Sequence, residues 1–326
     1  VGDLKLRGSY GVLGNQTIGT YDRYTTYNMY SNIYAFDNQP VTGAGFTLGS
    51  EDLKWEKTRT LNLGLDATLL HNALVFSFDY YYKRTVDILM KPVVPSVFGT
   101  SQSMANLGEV SNRGWEFSFT YHLNHGAWHH TFSGNIADTF NKLEKFPEGE
   151  QITGADEIYF IKRVGVPLGS YYGYKTDGMF KNYEEIEASA LPVGVTVQPG
   201  DLKFVDRNGD GIIDSKDRYI LGNAFPRYTF GFTYSVEWKG IDFSLFAQGV
   251  GKRDMMVRGE LMEPFHSNYS YVIFKHQLDF WTPTNTDARY PRLSAPGSTS
   301  SANNFRQASD FYLLNGAYLR LKNITL

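Results

Sequence analysis

From Thr60 to Leu69 the chain alternates at every step, with Leu61, Leu63, Leu65, Ala67 and Leu69 on one side and Thr60, Asn62, Gly64, Asp66 and Thr68 on the other. A period of two predicts a strand with one apolar face. After a break at His71-Asn72 the alternation resumes through Leu74, Phe76, Phe78, Tyr80 and Tyr82, so the two runs predict a hairpin. The pattern returns at Trp115, Phe117, Phe119, Tyr121 and Leu123, turning at Asn124-His125-Gly126 into residues 127–140. It returns again at Tyr228, Phe230, Phe232, Tyr234, Val236 and Trp238, turning at Lys239-Gly240 into Ile241, Phe243, Leu245 and Ala247. With weaker single strands at 3–13 and 316–326, eight strands are expected.

The connections alternate in length. Short turns fall near 71, 125 and 240, and long excursions at 14–54, 87–108, 141–225 and 252–315. A compact soluble domain rarely carries structureless connections beyond about 15 residues, whereas an outer-membrane barrel has short turns at one rim and long loops at the other. Trp128 and Trp238 adjoin short turns while Trp115, Tyr80 and Tyr82 sit toward the opposite strand ends, as two interfacial belts would require. The expected fold is therefore all-β, a transmembrane antiparallel barrel with long extracellular loops. The competing arrangement is a sandwich with an aromatic core, but its apolar faces would meet each other and nothing would make its loops alternate in length.

Composition supports strands: aromatics make up 16% of the chain, with 23 Tyr, 23 Phe and 32 Gly. A formal net charge of −3 and the absence of a Lys/Arg block argue against nucleic acid as a partner. With no Cys there is no disulfide, thiolate metal site or Cys nucleophile. No run approaches the roughly 18 apolar residues of a membrane-spanning helix, and a mean hydropathy of −0.35 is compatible with barrel strands whose every second residue is polar. Val1 is preceded by no signal-like segment, so the chain is expected to be a piece of a longer protein.

Several segments resemble SusC/RagA-like TonB-linked outer-membrane proteins, in order and over nearly the whole chain. They are Leu53-Lys54-Trp55-Glu56-Lys57-Thr58, residues 106–116 (NLGEVSNRGWE), residues 164–174 (VGVPLGSYYGY), Asp206-Arg207-Asn208-Gly209-Asp210-Gly211, residues 222–228 (GNAFPRY) and residues 316–323 (GAYLRLKN). The resemblance implies a barrel of about 22 strands around a plug, of which residues 1–326 would be the C-terminal part, with signal peptide and plug absent and 141–225 a long extracellular loop. It further implies TonB-dependent import, with TonB acting through the missing plug, a SusD-like surface lipoprotein as partner, and an oligosaccharide or peptide as cargo. The location implied is the outer membrane of a Gram-negative cell. Eight strands closing alone would leave a lumen filled by side chains.

The sharpest local motif is Asp206-Arg207-Asn208-Gly209-Asp210-Gly211-Ile212-Ile213-Asp214-Ser215-Lys216-Asp217, which fits the first nine positions of a twelve-residue calcium loop. Asp206, Asn208, Asp210, the Ile212 carbonyl, Asp214 and Asp217 would supply oxygen, with calcium the expected ion and Asp217 standing where a longer Glu is usual. The same residues also favour a tight turn with no ion, and both readings stay open. His122, His125, His129 and His130 cluster at one turn, but strand neighbours point to opposite faces, so polar turn and lumen positions are expected for them. No G-x-S-x-G elbow occurs, Glu184 and Glu185 read as a solvated helical face, and no catalytic constellation is expected. The loop aromatics Tyr27, Tyr30, Tyr34, Tyr171, Tyr172, Phe265, Tyr269 and Tyr271 could stack on sugars or a lid, or pack within their own loops. A passive or adhesive barrel, and an outer-membrane hydrolase, are the rival functions.

Overall fold

The structure, a computed structural model, describes residues 2–92, 94–265 and 272–326, with the backbone alone at 31–34. Eight long strands form one antiparallel sheet: β1 (Leu4–Asn15), β2 (Glu56–Leu69), β3 (Leu74–Met90), β4 (Ala105–His125), β5 (Trp128–Lys145), β6 (Arg227–Trp238), β7 (Ile241–Lys252) and β8 (Tyr318–Thr325). They lie side by side in chain order. The sheet is open: β1 and β8 are its edges and do not pair with each other, so the eight strands do not close on themselves. At the β6–β7 turn both connecting residues, Lys239 and Gly240, have positive φ (47° and 86°), the geometry that suits a two-residue hairpin.

Register converts the sequence pattern into surfaces. Leu69, Leu74, Tyr121, Phe132, Tyr234, Leu245 and Ile324 stand in one line across the sheet. Two residues further along, Ala67, Phe76, Phe119, Gly134, Phe232, Ala247 and Leu321 form the next line. Trp128 and Trp238 close this face at the short-turn end, ring centroids 5.0 Å apart. No protein layer covers it among the described residues: Leu63 is 52% exposed and Phe78 and Phe232 each 38%. A sandwich would bury them.

The core lies in the excursions instead. The largest fully buried side chains, among them Tyr290, Tyr312, Phe180, Ile161 and Leu202, all belong to the chain between β5 and β6 or between β7 and β8. These two segments fold together. Arg218–Asn223, Ser170–Tyr174, Ile158–Arg163 and Glu150–Ala155 make a four-stranded sheet, on which Tyr171 packs with Met256, Phe305 and Tyr312. Helix α1 (Tyr183–Glu187) is capped by Asn182, and α2 (Thr299–Phe305) by Ser298.

Two expectations change in extent. The excursion expected at 87–108 shrinks because β3 continues to Met90 and β4 begins at Ala105, and that expected from 141 starts after Lys145. The strands run past the point where their apolar alternation stops, because backbone pairing needs no apolar face and continues through Thr85 opposite Val110, Met90 opposite Ala105 and Glu109 opposite Lys145. The excursions are also not structureless; the first carries a hairpin of Thr26–Phe36 against Gln39–Leu48.

Candidate functional site

The second face of the sheet is polar. Asp66 pairs in register with Ser77, Gly64 with Asp79, and Glu116 with Ala137. Ser77, Asp79, Glu116, Ser118, Asn135 and Gln248 help to line a recess of about 500 Å³ on this side. Arg7 ties three strands there: Nε donates to Asp66 Oδ2 and Nη1 to Asp79 Oδ1, both at 2.7 Å, while Ser77 Oγ donates to Asp66 Oδ1 at 2.8 Å. Such a wall offers hydrogen-bond donors and acceptors to a polar solute.

The acidic loop is held by its own backbone. Asp206 accepts the Gly209 and Gly211 N–H groups at 2.7 and 2.8 Å, Asn208 Oδ1 accepts from Asp210 N at 3.0 Å, and Asp210 Oδ1 from Ile212 N at 3.0 Å. The N–H groups of Gly211 and Gly209 hold the Asp206 carboxyl below the usual carboxylate range. Gly209 and Gly211 adopt φ of 75° and 81°, a region glycine enters freely. Asp217 is fully buried and clamps both ends, accepting from Arg207 N at 2.9 Å and Asp214 N at 2.8 Å. Asp214 accepts from Lys216 N at 2.7 Å, and the Lys216 ammonium lies 3.5 Å from Asp214 and 3.8 Å from Asp210. Ile212 and Ile213 pair with Leu191 and Pro192, and the buried Ile213 anchors the loop in a core with Leu202 and Phe204. Among the described residues no three His, Asp or Glu side chains converge as a metal-holding group.

A buried polar cluster that the sequence does not announce joins the two excursions. Asp201 accepts from Ser300 Oγ at 2.7 Å, Asn304 Nδ2 at 3.0 Å and Gln198 N at 2.8 Å. Asn304 Oδ1 accepts from Leu202 N, and Asn303 Nδ2 donates to Leu202 O, both at 2.8 Å. Burial pushes the Asp201 carboxyl up against the pull of these donors. The only sequence signal is Ser298 placed to cap a short polar helix.

His122 meets Thr131 and His129 meets Asn124 on the polar face, whereas His130, expected at a turn or lumen position, lies on the apolar face beside the Tyr234 hydroxyl at 2.8 Å, because strand neighbours alternate. His276 Nε2, in the short helical turn Lys275–Leu278, donates to the Leu261 carbonyl. His129 and His130 thus face opposite sides. Of the loop aromatics, Tyr171 and Tyr172 are buried in the loop core, whereas Tyr27 and Tyr30 are exposed and Phe265 is half-buried. His266, Tyr269, Tyr271 and the Tyr34 side chain lie outside the described residues. Glu185 folds back onto α1, accepting from Lys181 N at 2.8 Å and from Lys203 Nζ at 3.0 Å.

Comparison with known proteins agrees with this geometry. The family model described as TonB dependent receptor-like, beta-barrel matches residues 2–250. TonB-dependent receptor P3 of Formosa agariphila is 32% identical over 98% of this chain, and TonB-dependent receptor SusC of Bacteroides thetaiotaomicron is 28% identical over 99%. The chain spans about a third of the length of these relatives (32% and 31%). The solved structure of the RagAB peptide transporter superposes with a TM-score of 0.72 at 24% identity, over 99% of this chain and 34% of that one. Its fold is shared. The oily outer face, the polar inner face and the family match together place this chain in the TonB-dependent receptor-like β-barrel family, where it resembles SusC.

Proposed function

We propose that this chain forms the C-terminal barrel wall and extracellular loops of an outer-membrane importer that is driven through TonB and a plug and admits an oligosaccharide or peptide beneath a SusD-type lipoprotein. The observation that carries the reading is the division of labour within the sheet. One face presents largely apolar lines with no protein against them among the described residues, while the other presents Ser77, Asp79, Glu116 and Gln248 around a recess. A lipid phase outside and a wet path inside account for both. The folded excursions, with the exposed Tyr27 and Tyr30, supply a rigid rim on which a lid could close. The peptide transporter named in the shared fold supports peptide cargo, and the resemblance to SusC/RagA-like proteins is the ground for an oligosaccharide. Calcium at residues 206–217 belongs to the same proposal, as a stiffener of that rim once Lys216 swings away.

Uptake by cells carrying the intact receptor tests it. Labelled oligosaccharides and labelled peptides should accumulate with TonB present and stop accumulating when TonB is deleted. Uptake that persists without TonB would instead identify a passive barrel.

A further inference from the structure

Above the aromatic belt the lipid-side face turns cationic. Arg59 stands directly opposite Arg84, Arg84 opposite Ser111, and Ser111 opposite Lys142, so three cations share one line across β2 to β5. One line lower, Arg113 lies opposite Tyr82 and packs over the Phe140 ring at 5.2 Å. Register keeps all of them on the side of Leu61, Leu63 and Phe78. Their depth follows from strand geometry. From Trp128 to Lys142 along β5, a rise of about 3.4 Å per residue at a tilt of about 40° gives roughly 35 Å. An apolar band of about 25 Å starting at Trp128 ends near the Trp115 line, which leaves the cationic line at the depth of the lipid headgroups, on the side of the long loops.

Like charges directly opposite in a sheet repel, and the acids nearby answer only part of the charge. Glu109 pairs with Arg84, and Glu144 takes Lys142 at 3.1 Å and Ser111 at 2.7 Å. Arg59 and Arg113 are exposed, and among the described residues neither has an ion-pair partner. Guanidinium groups match phosphate oxygens two at a time. We infer that Arg59, Arg84, Arg113 and Lys142 form a seat for the phosphate of an anionic lipid in the leaflet that meets the long loops. This rests on the reading that the apolar face meets lipid.

Native mass spectrometry of the intact receptor in a non-ionic detergent tests it, with phosphatidylglycerol, phosphatidylcholine and inorganic phosphate as separate probes. Phosphatidylglycerol should be retained over phosphatidylcholine, and Arg59→Gln/Arg84→Gln should weaken that retention by about tenfold or more, since each charged hydrogen bond lost contributes about a decade. Arg59→Gln alone, which removes no partnered group, should show part of the loss. Undiminished retention in the double variant, equal binding of the two lipids, or inorganic phosphate bound as tightly as phosphatidylglycerol would each overturn the lipid seat. A receptor that stays monodisperse without detergent overturns the membrane reading as well, whereas one that needs detergent but shows no lipid preference overturns this inference alone.

Discussion

Arg7 and Asp79 lie two strands apart, and the Arg7 guanidinium crosses above Gly64 of β2 to place Nη1 2.7 Å from Asp79 Oδ1. A Cβ at Gly64 would sit 2.6 Å from both Arg7 Cζ and Asp79 Oδ1. Here the missing side chain is what allows an ion pair to bridge three strands. Gly64→Ala should therefore act like Arg7→Gln. Each is expected to lower barrel stability modestly and to a similar extent, because the cluster is half-exposed to water. The pair should be non-additive, since both changes remove one interaction. Thermal unfolding of the four members of the cycle in detergent measures this, and strict additivity would refute the bridging role of Gly64.

Asp201 holds the two large excursions together from opposite sides of about a hundred residues of chain, through Ser300 and Asn304. Asp201→Ala strands the Gln198 N–H and the Asn304 amide in a dry site and should cost about 2–3 kcal/mol. Asp201→Asn keeps most of the shape and should cost less. Burial raises the folded-state pKa of this acid, so the folded unit binds the proton more tightly than the unfolded chain. The contribution of this group to stability is then fully present below the unfolded carboxylate value of about 3.9 and is lost as pH rises through the raised folded value. Amide hydrogen exchange at residues 298–305 against pH should show this slope in the native chain and lose it in Asp201→Asn.

These two clusters differ in how far the sequence discloses them. The Arg7 bridge joins residues whose strands the alternation already identifies, and Asp66 and Asp79 fall on the polar side by parity alone. Strand lengths were hidden because Arg84 to Met90 and Ala105 to Glu109 lie beyond the apolar band, where a period of two no longer separates oil from water. The Asp201 cluster was hidden for another reason. Its partners are 99 and 103 residues away, and no local pattern encodes which Ser or Asn will meet a given carboxylate. Tyr171 and Tyr172 illustrate the same limit: aromatic loop residues look alike in sequence whether they are buried, as these are, or exposed like Tyr27.

His130 and Tyr234 form a polar pair on the apolar face, 2.8 Å apart and stacked among Trp128 and Phe132. In an environment without water, a donor that loses its partner costs more than a pair that is absent altogether. Tyr234→Phe should therefore destabilise the barrel by about 1–2 kcal/mol, and adding His130→Phe should restore most of it. Urea titration of the barrel refolded into micelles reports both steps; a double variant less stable than Tyr234→Phe would show that the histidine has another role.

Lys216 occupies the position from which a cation would meet Asp210 and Asp214, with its ammonium 3.8 and 3.5 Å from their carboxylates. The loop is thus closed by an internal charge while Asp206 and Asp217 are committed to backbone N–H groups. If calcium binds, it must displace the ammonium, so Lys216→Ala should strengthen binding severalfold, about 1 kcal/mol for one exposed charge contact. Asp210→Ala should abolish it. Asp206→Ala is a less selective control, because it also releases the Gly209 and Gly211 amides that shape the turn. Calorimetric titration of the intact receptor with calcium separates the outcomes. Heat that grows in Lys216→Ala and vanishes in Asp210→Ala supports an ion site, and no heat in any variant leaves residues 206–217 as a turn closed by its own lysine.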